Sequence, residues 1–316
     1  MNYGLPYKGS KNRIAKKILD VLPPAPVLYD VFAGGCAITH AALLSGKYSR
    51  VVANDINGMI PHAFETAITG GFRNEDRWIS RDDFQKLYKT DPYVAICFSF
   101  GNNLRWYCYS RELEPYKRAL HYAIFWRDFA PWAALCPETA DALASGLAPI
   151  EDRKQRRIQA GHFIVESLKA QLAAEMLTPD ILDKPIYRQS LESLQILQSL
   201  QSLERLQSLE RLQSLECLPG ALTAHSGDYR ELCFDEPGII YCDPPYKSTK
   251  ERYGREFDAE AFYGWCEAQK LPVYISEYQM PEERFACIAE WDKITAMAAK
   301  MTTHVTERLW RPRTQL

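Results

Sequence analysis

The tetrapeptide Asp243-Pro244-Pro245-Tyr246 is the sharpest chemical signal in the sequence, and it follows the apolar run GIIYC directly. The exocyclic amine of a nucleobase is a poor nucleophile because its lone pair is delocalised into the ring. The Asp243 carboxylate and the Pro244 carbonyl can accept its two N–H bonds, while the prolines hold the loop extended. Tyr246 offers a flat face on which an extruded base can stack, a contact worth about 1–3 kcal/mol. The pattern predicts a loop that turns an amine toward an electrophile.

Three weaker motifs accompany this loop. The run VLYDVF is followed by Gly34-Gly35, where glycines let a ligand approach the backbone closely. The run RVVANDI contains Asp55, about twenty residues past that turn, where a carboxylate can accept hydrogen bonds from ribose hydroxyls. Asp228, next to Tyr229, can accept a hydrogen bond from an adenine amino group. Taken singly, each motif is also typical of an ordinary turn or helix cap.

These motifs need an α/β scaffold to bring them together. Strand-like VLYDVF and RVVANDI flank a helix-like segment, AITHAALLSGK, and GIIYCDPPY and PVYISEY flank another, DAEAFYGWCEAQK. This βαβ rhythm predicts parallel neighbouring strands, whose carboxyl ends are where α/β sheets build ligand sites. The last two strand-like runs are apolar with little alternation, as in strands buried on both faces. The segments ITAMAAKM and THVTERLWR predict an antiparallel hairpin at the sheet edge.

A region of different character interrupts this pattern. Residues 71–185 interleave aromatic and basic side chains, which predicts a mainly helical insert between two halves of one domain, 1–70 and 221–316. Residues 186–220 repeat leucine at every third position on a hexapeptide theme. On a helix this spacing winds round the whole surface, so we expect a tandem insert without a catalytic role. A short β-solenoid coil and self-association through the repeats are the alternatives.

Composition sets the outer limits of function. The chain has 316 residues, 38 Lys and Arg against 40 Asp and Glu, and a formal charge of −2, so binding to a polyanion would require a local basic face. The cysteines form no CxxC pair and no metal-ligand spacing, which argues against zinc and against a disulfide framework. No run is long and apolar enough for a membrane span, and no export signal is evident. We expect a cytoplasmic protein with reduced thiols and no bound metal.

In combination, these motifs resemble a known family. The order PYKGSK, DVFAGGCA, NDIN, SGDY and CDPPY resembles the Dam-type (D12 class) DNA adenine N6-methyltransferases, in particular solitary phage and prophage members. The stretches FSFGNNLRWY, EPYKRALH, PVYISEY and ERLW are similar to the same enzymes. The resemblance covers most of the chain except the leucine repeats. It implies a Rossmann-like class I S-adenosyl-L-methionine-dependent methyltransferase sheet with an inserted target-recognition domain, and double-stranded DNA as the partner.

The resemblance also implies roles for individual residues. Phe32, Gly34 and Gly35 would frame the methionine portion of the cofactor, and Ile56 would cover one face of its adenine. Cys36 departs from the family, which more often has a third glycine there. The catalytic residues would be Asp243, Pro244, Pro245 and Tyr246. The residues that bind S-adenosyl-L-methionine, or the product S-adenosyl-L-homocysteine, would be Tyr7, Lys11, Asp30, Phe32, Gly34, Gly35, Asp55, Ile56, Asp228, Tyr229 and Asp243.

Contacts with DNA are expected from the insert and from loops at the catalytic site. Asn and Arg side chains can read base edges, and Arg and Lys can engage phosphates. The candidate residues for DNA contact are Lys11, Asn102, Asn103, Arg105, Arg111, Lys117 and Lys247. The expected reaction is site-specific methyl transfer to N6 of an adenine that has left the duplex, at a cost of a few kcal/mol of unstacking.

Three other functions compete with this expectation. Cytosine-N4 and RNA-adenine methyltransferases use a similar (D/N/S)PP(Y/F) loop. A non-catalytic DNA-binding regulator could keep the fold without turnover, although the intact DPPY argues against it. A dehydrogenase is disfavoured because the glycine turn is not GxGxxG.

Overall fold

A computed structural model describes residues 3–7, 10–176, 208, 210, 211, 221–245, 257–297 and 301–316. The chain divides into two compact units, one formed by Met1–Arg73 with Leu215–Leu316 and the other by Asn74–Ser214. The structures predicted for the leucine repeats therefore lie outside the described residues, apart from Ser208, Glu210 and Arg211. Tyr246 and Lys247 also lie outside them.

The first unit is built on a seven-stranded sheet with the order β3-β2-β1-β4-β5-β7-β6. The strands are β1 (Ala25–Asp30), β2 (Tyr48–Asp55), β3 (Ala221–Ser226), β4 (Gly238–Cys242), β5 (Val273–Glu277), β6 (Phe285–Met297) and β7 (Met301–Pro312). Strands β1 to β5 pair in parallel, and β7 runs antiparallel to β5 and β6. The predicted α/β class is confirmed, and the mostly parallel sheet is consistent with a methyltransferase fold.

The central strands form because their side chains are apolar on both faces of the sheet. Val27, Val52, Ile240, Val273 and Ile275 belong to one buried cluster. Strand β3 differs, since it lies at the sheet edge and its residues are half-buried or exposed. Its sequence, ALTAHS, lacks the apolar run that marks the other parallel strands, and for that reason the sequence did not predict it.

Helices α1 (Ala15–Val21), α2 (Ala37–Ser45) and α3 (Met59–Ile68) belong to the first unit. In α2 the residues from Ala37 to Leu43 are all buried, Thr39 and His40 included, which explains why no Asp, Glu, Lys or Arg occurs on any face of this helix. Helix α2 starts directly after the glycine turn that follows β1. The position of this turn is therefore fixed by a buried strand on one side and a buried helix on the other.

The described part of the second unit is mainly helical. Its helices are α4 (Arg81–Leu87), α5 (Pro92–Cys97), α6 (Glu114–Trp126), α7 (Ala130–Leu135), α8 (Pro137–Leu147) and α9 (Arg153–Met176). Ser80 caps α4 by accepting the Asp83 N–H, and Asp91 caps α5, whose first residue is a proline. Phe84, Tyr93 and Trp132 are buried in this unit.

The C-terminal part of the chain completes the sheet of the first unit. Helix α10 (Ala259–Ala268) starts at Asp258, whose carboxylate accepts the Ala261 N–H. Strands β6 and β7 form the predicted antiparallel hairpin at the sheet edge, with a register shift between Cys287 and Ala289. Because β7 also pairs with β5, residues near the end of the chain lie next to the parallel strands.

Candidate functional site

The N-terminal segment packs directly on the turn that follows β1. The Leu5 N–H donates to the Gly35 carbonyl at 2.7 Å. A Cβ at Gly35 would lie 2.6 Å from the Tyr7 Cβ, which is too close for any side chain, and Gly34 has a left-handed φ of 47°. Glycines at these positions therefore let Tyr7 lie against the turn.

Cys36 takes the left-handed conformation that a glycine would adopt without strain. Its φ is 56°, it precedes the first residue of α2, and its side chain is buried. A left-handed conformation costs a non-glycine residue about 1–2 kcal/mol. The departure from the family at this position changes the residue but keeps a turn with two left-handed residues, Gly34 and Cys36.

Asp55, at the carboxyl end of β2, is bonded to the glycine turn. Its Oδ2 accepts the Gly34 N–H at 2.9 Å, and its Oδ1 accepts the Asn57 N–H at 2.8 Å. Burial raises the pKa of Asp55 and these backbone hydrogen bonds oppose the rise. Each carboxylate oxygen has a second lone pair with which to accept a hydrogen bond from a ligand. Next to it, Ile56 is 64% exposed, an unusual position for a large apolar side chain.

Asp30, at the carboxyl end of β1, is 1% exposed. Its Oδ2 accepts hydrogen bonds from the Thr39 N–H at 3.1 Å and the Thr39 hydroxyl at 2.6 Å. Burial raises the pKa of Asp30 to about 7, and the hydrogen bonds from Thr39 oppose this rise. Asp30 therefore fixes the first turn of α2 behind the glycine turn.

Aromatic side chains cover the carboxyl end of β1 on one side. The Phe32 ring lies 5.2 Å from the Tyr229 ring and 5.6 Å from the Phe262 ring, measured between centroids. Asp228 precedes Tyr229 and is paired with Arg230, whose Nη2 lies 2.6 Å from the Asp228 Oδ2. The loop after β3 thus places Tyr229 and Asp228 close to Phe32.

A buried charge cluster lies beside the loop that follows β4. The Lys11 Nζ is 2.6 Å from the Asp243 Oδ1 and 3.6 Å from the Glu307 Oε1. The Ser276 hydroxyl donates to the same Glu307 oxygen at 2.9 Å. Lys11 is 4% exposed and Glu307 is 0% exposed. Burial lowers the pKa of Lys11, but the Asp243 and Glu307 carboxylates more than offset this, so the net shift is upward.

Glu277, the last residue of β5, lies beside the same loop. Together with Pro244, Pro245 and Phe262 it lines a pocket of about 240 Å³, a volume that includes space open to solvent. Burial raises the pKa of Glu277 to about 8, helped by the nearby Asp243 charge and opposed by a hydrogen bond from the Tyr278 N–H and by Lys11. At neutral pH this carboxyl is therefore mostly protonated.

The sheet order brings these groups to a single edge. Asp30 in β1 is in register with Ala53 in β2 on one side and with Tyr241 in β4 on the other. Chain order reverses between β1 and β4, which is where α/β sheets open a crevice for ligands. The glycine turn flanks this point on one side and Asp243 on the other.

A comparison with known protein families gives a match for the N-terminal part of the chain. Residues 7–93 match the D12 class N6 adenine-specific DNA methyltransferase family. The family predicted from the motifs is thereby confirmed for these residues. The match is less than a third of the chain, and it contains Lys11, the glycine turn and Asp55 but ends before Asp243. A comparison with curated proteins gives no match.

The match to the D12 class family suggests DNA adenine methylation, and the mostly parallel sheet is consistent with that function. The match does not show which residues contact a methyl donor or a target base. Within the described residues, no helix combines the length and apolar character of a membrane span, and no group of three or more His, Cys, Asp or Glu side chains is arranged to hold a metal ion.

The candidates for DNA contact in the second unit differ in exposure. The Asn102 amide donates to the Ile96 carbonyl at 2.8 Å, and the Asn103 Oδ1 accepts the Arg105 and Trp106 N–H groups. Arg105 and Arg111 are exposed, whereas Lys117 is 5% exposed, with its Nζ 5.7 Å from the centre of the Tyr109 ring.

Four residues that organise this edge were not predicted from the sequence. Glu307 shares the Lys11 ammonium with Asp243, Ser276 donates to Glu307, and the charge of Asp243 acts on Glu277. The Asn54 amide donates to the carbonyls of Val31 and Gly227 at 3.1 and 3.2 Å. Asn54 therefore holds the ends of β1, β2 and β3 together. All four lie inside stretches that resemble the family, Asn54 in NDIN, Ser276 and Glu277 in PVYISEY and Glu307 in ERLW, but no residue pattern indicates which partners they contact.

Proposed function

We propose that the protein is an S-adenosyl-L-methionine-dependent, site-specific DNA adenine N6-methyltransferase. The observation that carries this proposal is the 2.6 Å contact between Lys11 and Asp243. Lys11 lies in the segment that matches the D12 class family, and Asp243 begins the DPPY loop outside it. This contact joins the family segment to the loop whose residue types suit an exocyclic amine.

The residues at the edge suit the proposed cofactor. Asp55 retains acceptor capacity for ribose hydroxyls, and Ile56 exposes an apolar face suited to a purine ring. Gly34 and Gly35 offer a turn without side chains, which Asp30 fixes from behind. When bound, S-adenosyl-L-methionine supplies a methyl group on a cationic sulfur and leaves as S-adenosyl-L-homocysteine.

The loop after β4 would hold and orient the target amine. We assign the two N–H acceptors to the Asp243 carboxylate and the Pro244 carbonyl, so that the nitrogen lone pair faces the methyl group. Positive charge develops on N6 as it attacks, and the Asp243 carboxylate stabilises it at close range. Asp243 does not need to be a general base, because the nitrogen can release its proton to water after methyl transfer has made it cationic. Pro245 keeps the loop extended, and Tyr246 is proposed to stack on the extruded base.

Target recognition is assigned to the second unit. Arg105 lies on a loop held by the pairing of Ser99 with Tyr107, next to Trp106, which is 69% exposed. We propose that Arg105 and Arg111 contact DNA, and that Asn102 and Asn103 shape the loop that presents Arg105. Lys117 is buried, so we assign it to packing. Lys247 is proposed to face the target strand. Lys11 is 4% exposed, so we assign it to holding Asp243 and not to a DNA contact.

Product analysis tests this function. The protein is incubated with labelled S-adenosyl-L-methionine and, in parallel, with unmethylated duplex DNA and with RNA, and the nucleosides are separated by mass. Label in N6-methyladenine from DNA is the expected result. Label in N4-methylcytosine, or only in RNA, would assign the protein to a different methyltransferase class. Cofactor binding without a labelled product would support the non-catalytic regulator.

An Arg105→Ala variant tests the recognition unit, with Arg13→Ala, an exposed arginine of the first unit, as the control. Loss of a base or phosphate contact should weaken DNA binding by about 1–3 kcal/mol and leave cofactor affinity unchanged. If the contact is to a phosphate, the salt dependence of binding should also decrease. Equal DNA affinity of the variant and the wild type would remove Arg105 from the proposal.

A further inference from the structure

Two residues of the leucine repeats, Ser208 and Glu210, contact other parts of the second unit. Ser208 is 6% exposed, and its hydroxyl accepts a hydrogen bond from the Asn102 side-chain amide at 3.1 Å. The Glu210 carboxylate accepts two hydrogen bonds from the Arg157 guanidinium on α9, at 2.6 and 3.1 Å. A bidentate pair of this kind fixes orientation as well as distance. This part of the repeats is therefore fastened both to α9 and to the loop that follows α5.

The loop that receives the Ser208 contact, residues 99–107, has an unfavourable backbone conformation. Asn102 and Leu104 have left-handed φ values of 53° and 62°. Because a side chain disfavours this conformation, surrounding contacts have to hold it. The Asn102 amide donates to the Ile96 carbonyl at 2.8 Å as well as to the Ser208 hydroxyl. Asn102 thus joins the loop to α5 and to the repeats.

The same loop presents Arg105, which is proposed to contact DNA. Arg105 is exposed, and the neighbouring Trp106 is 69% exposed. The Asn103 Oδ1 accepts the N–H groups of both residues at 2.9 and 3.0 Å. Asn103 follows Asn102 directly, so a change in the left-handed backbone of Asn102 would move the acceptor that fixes Arg105.

We propose that this part of the leucine repeats supports target recognition, with Ser208 as a positioning residue that holds Asn102 and, through it, Arg105. Glu210 keeps Ser208 in place by its pair with Arg157. The inference rests on the proposed methyltransferase function and adds the repeats to the parts that select the target. A base contact requires closer positioning than a phosphate contact, so a looser loop should weaken binding to the target more than binding to other sequences.

Discrimination between DNA sequences tests this role. The target is first identified by mapping N6-methyladenine in plasmid DNA treated with the wild-type protein. Single-turnover rates are then measured below saturation on that target and on a duplex with one base pair of the target changed. We expect Ser208→Ala to lower the ratio of these rates about 5- to 10-fold, with cofactor affinity within about twofold. Ser208→Thr, which keeps the hydroxyl, should recover most of the ratio. Ser145→Ala, at an exposed position of α8, is the control and should match the wild type.

A double-mutant cycle separates positioning of Arg105 from general support. If Ser208 acts through Arg105, Ser208→Ala should change discrimination by less than about twofold in a protein that already carries Arg105→Ala. Losses that multiply in the double variant would show that Ser208 acts independently of Arg105 and would overturn the inference.

Hydrogen exchange gives a readout that does not depend on catalysis. Without DNA, the Arg105 and Trp106 N–H groups should exchange about 5- to 10-fold faster in Ser208→Ala than in the wild type. Glu210→Gln, with the exposed Glu138→Gln as its control, should have a smaller effect in the same direction and replaces Ser208→Ala if that variant does not fold.

Wild-type discrimination together with unchanged exchange in the variant would overturn the inference alone. A wild-type protein that forms no N6-methyladenine would instead overturn the proposed function and, with it, the link from Ser208 to target recognition.

Discussion

The two halves of the carboxyl edge are held together by different interactions. On the side of β1 and β2, Asp30 and Asp55 are bonded to backbone N–H groups of Thr39 and Gly34, which are 9 and 21 residues away in the sequence. On the side of β4, β5 and β7, Asp243 is bonded to Lys11 across 232 residues, and Glu307 approaches the same ammonium. The first half is a local backbone arrangement, and the second is an assembly of charged side chains from distant segments.

This difference indicates that one half of the edge binds a ligand and the other half acts on the reaction. Hydrogen bonds from backbone N–H groups to Asp30 and Asp55 fix a turn at the ligand edge, which suits the binding of a ligand by shape. A charge cluster with one partly exposed carboxylate suits stabilisation of a charge that appears only during a reaction. Mutations in the two halves should therefore have different consequences.

Lys11→Met should have the largest effect on stability. It leaves the Asp243 and Glu307 carboxylates without the ammonium between them, and breaking a buried ion pair in this way costs about 3–5 kcal/mol. Urea unfolding measures the loss, with Lys17→Met, on the exposed side of α1, as the control. A Lys11→Met protein as stable as the control would show that the cluster is not an energetic unit.

Glu277→Gln should change the pH dependence of stability. The pKa of Glu277 is raised to about 8 by burial, while a carboxyl in the unfolded chain titrates near 4.3. Between these two pKa values the Glu277 carboxyl is protonated in the folded state and ionised in the unfolded chain. The free energy of unfolding of the wild type therefore decreases as the pH rises through this range. Glutamine is neutral throughout, so the variant should gain about 1–3 kcal/mol over the wild type at pH 8, a value reduced for partial exposure.

Unfolding curves measured at about pH 5, 6, 7 and 8 show how this gain in the free energy of unfolding changes with pH. Glu283→Gln, at an exposed position just before β6, is the control and should leave the slope unchanged. A stability difference that stays constant over this window would contradict the raised pKa of Glu277.

Asp55→Asn should have the smallest of these effects and should act on binding. Asparagine retains one acceptor oxygen, so either the Gly34 or the Asn57 hydrogen bond is lost, at about 1 kcal/mol. We expect the affinity for S-adenosyl-L-methionine to fall about tenfold while single-turnover chemistry with saturating cofactor stays within about threefold. Asp20→Asn on α1 is the control. A large loss in rate at saturation would erase the proposed division between the two halves.

The same contrast explains what the sequence could predict. The strands GIIYC and PVYISEY, the glycine turn and the final hairpin are visible because each is encoded by a short local run. Lys11 and Asp243 were both recognised, yet their contact follows from the strand order, which places β4 beside β1. Glu307 could not be found in this way, because a single glutamate in a strand does not reveal that β7 inserts between β5 and β6. Strand β3 could not be predicted, because its residues at the sheet edge are half-buried or exposed and do not form an apolar run.

The most direct test of the central claim compares the wild type with Asp243→Asn in a single turnover on unmethylated duplex DNA. Asparagine has nearly the same shape as aspartate but lacks the negative charge that would stabilise the positive charge developing on N6. We predict N6-methyladenine from the wild type and a rate about 10²–10³-fold lower in the variant, with DNA affinity within a few-fold. Formation of N6-methyladenine by Asp243→Asn at the wild-type rate would contradict the assignment of the reaction to this loop.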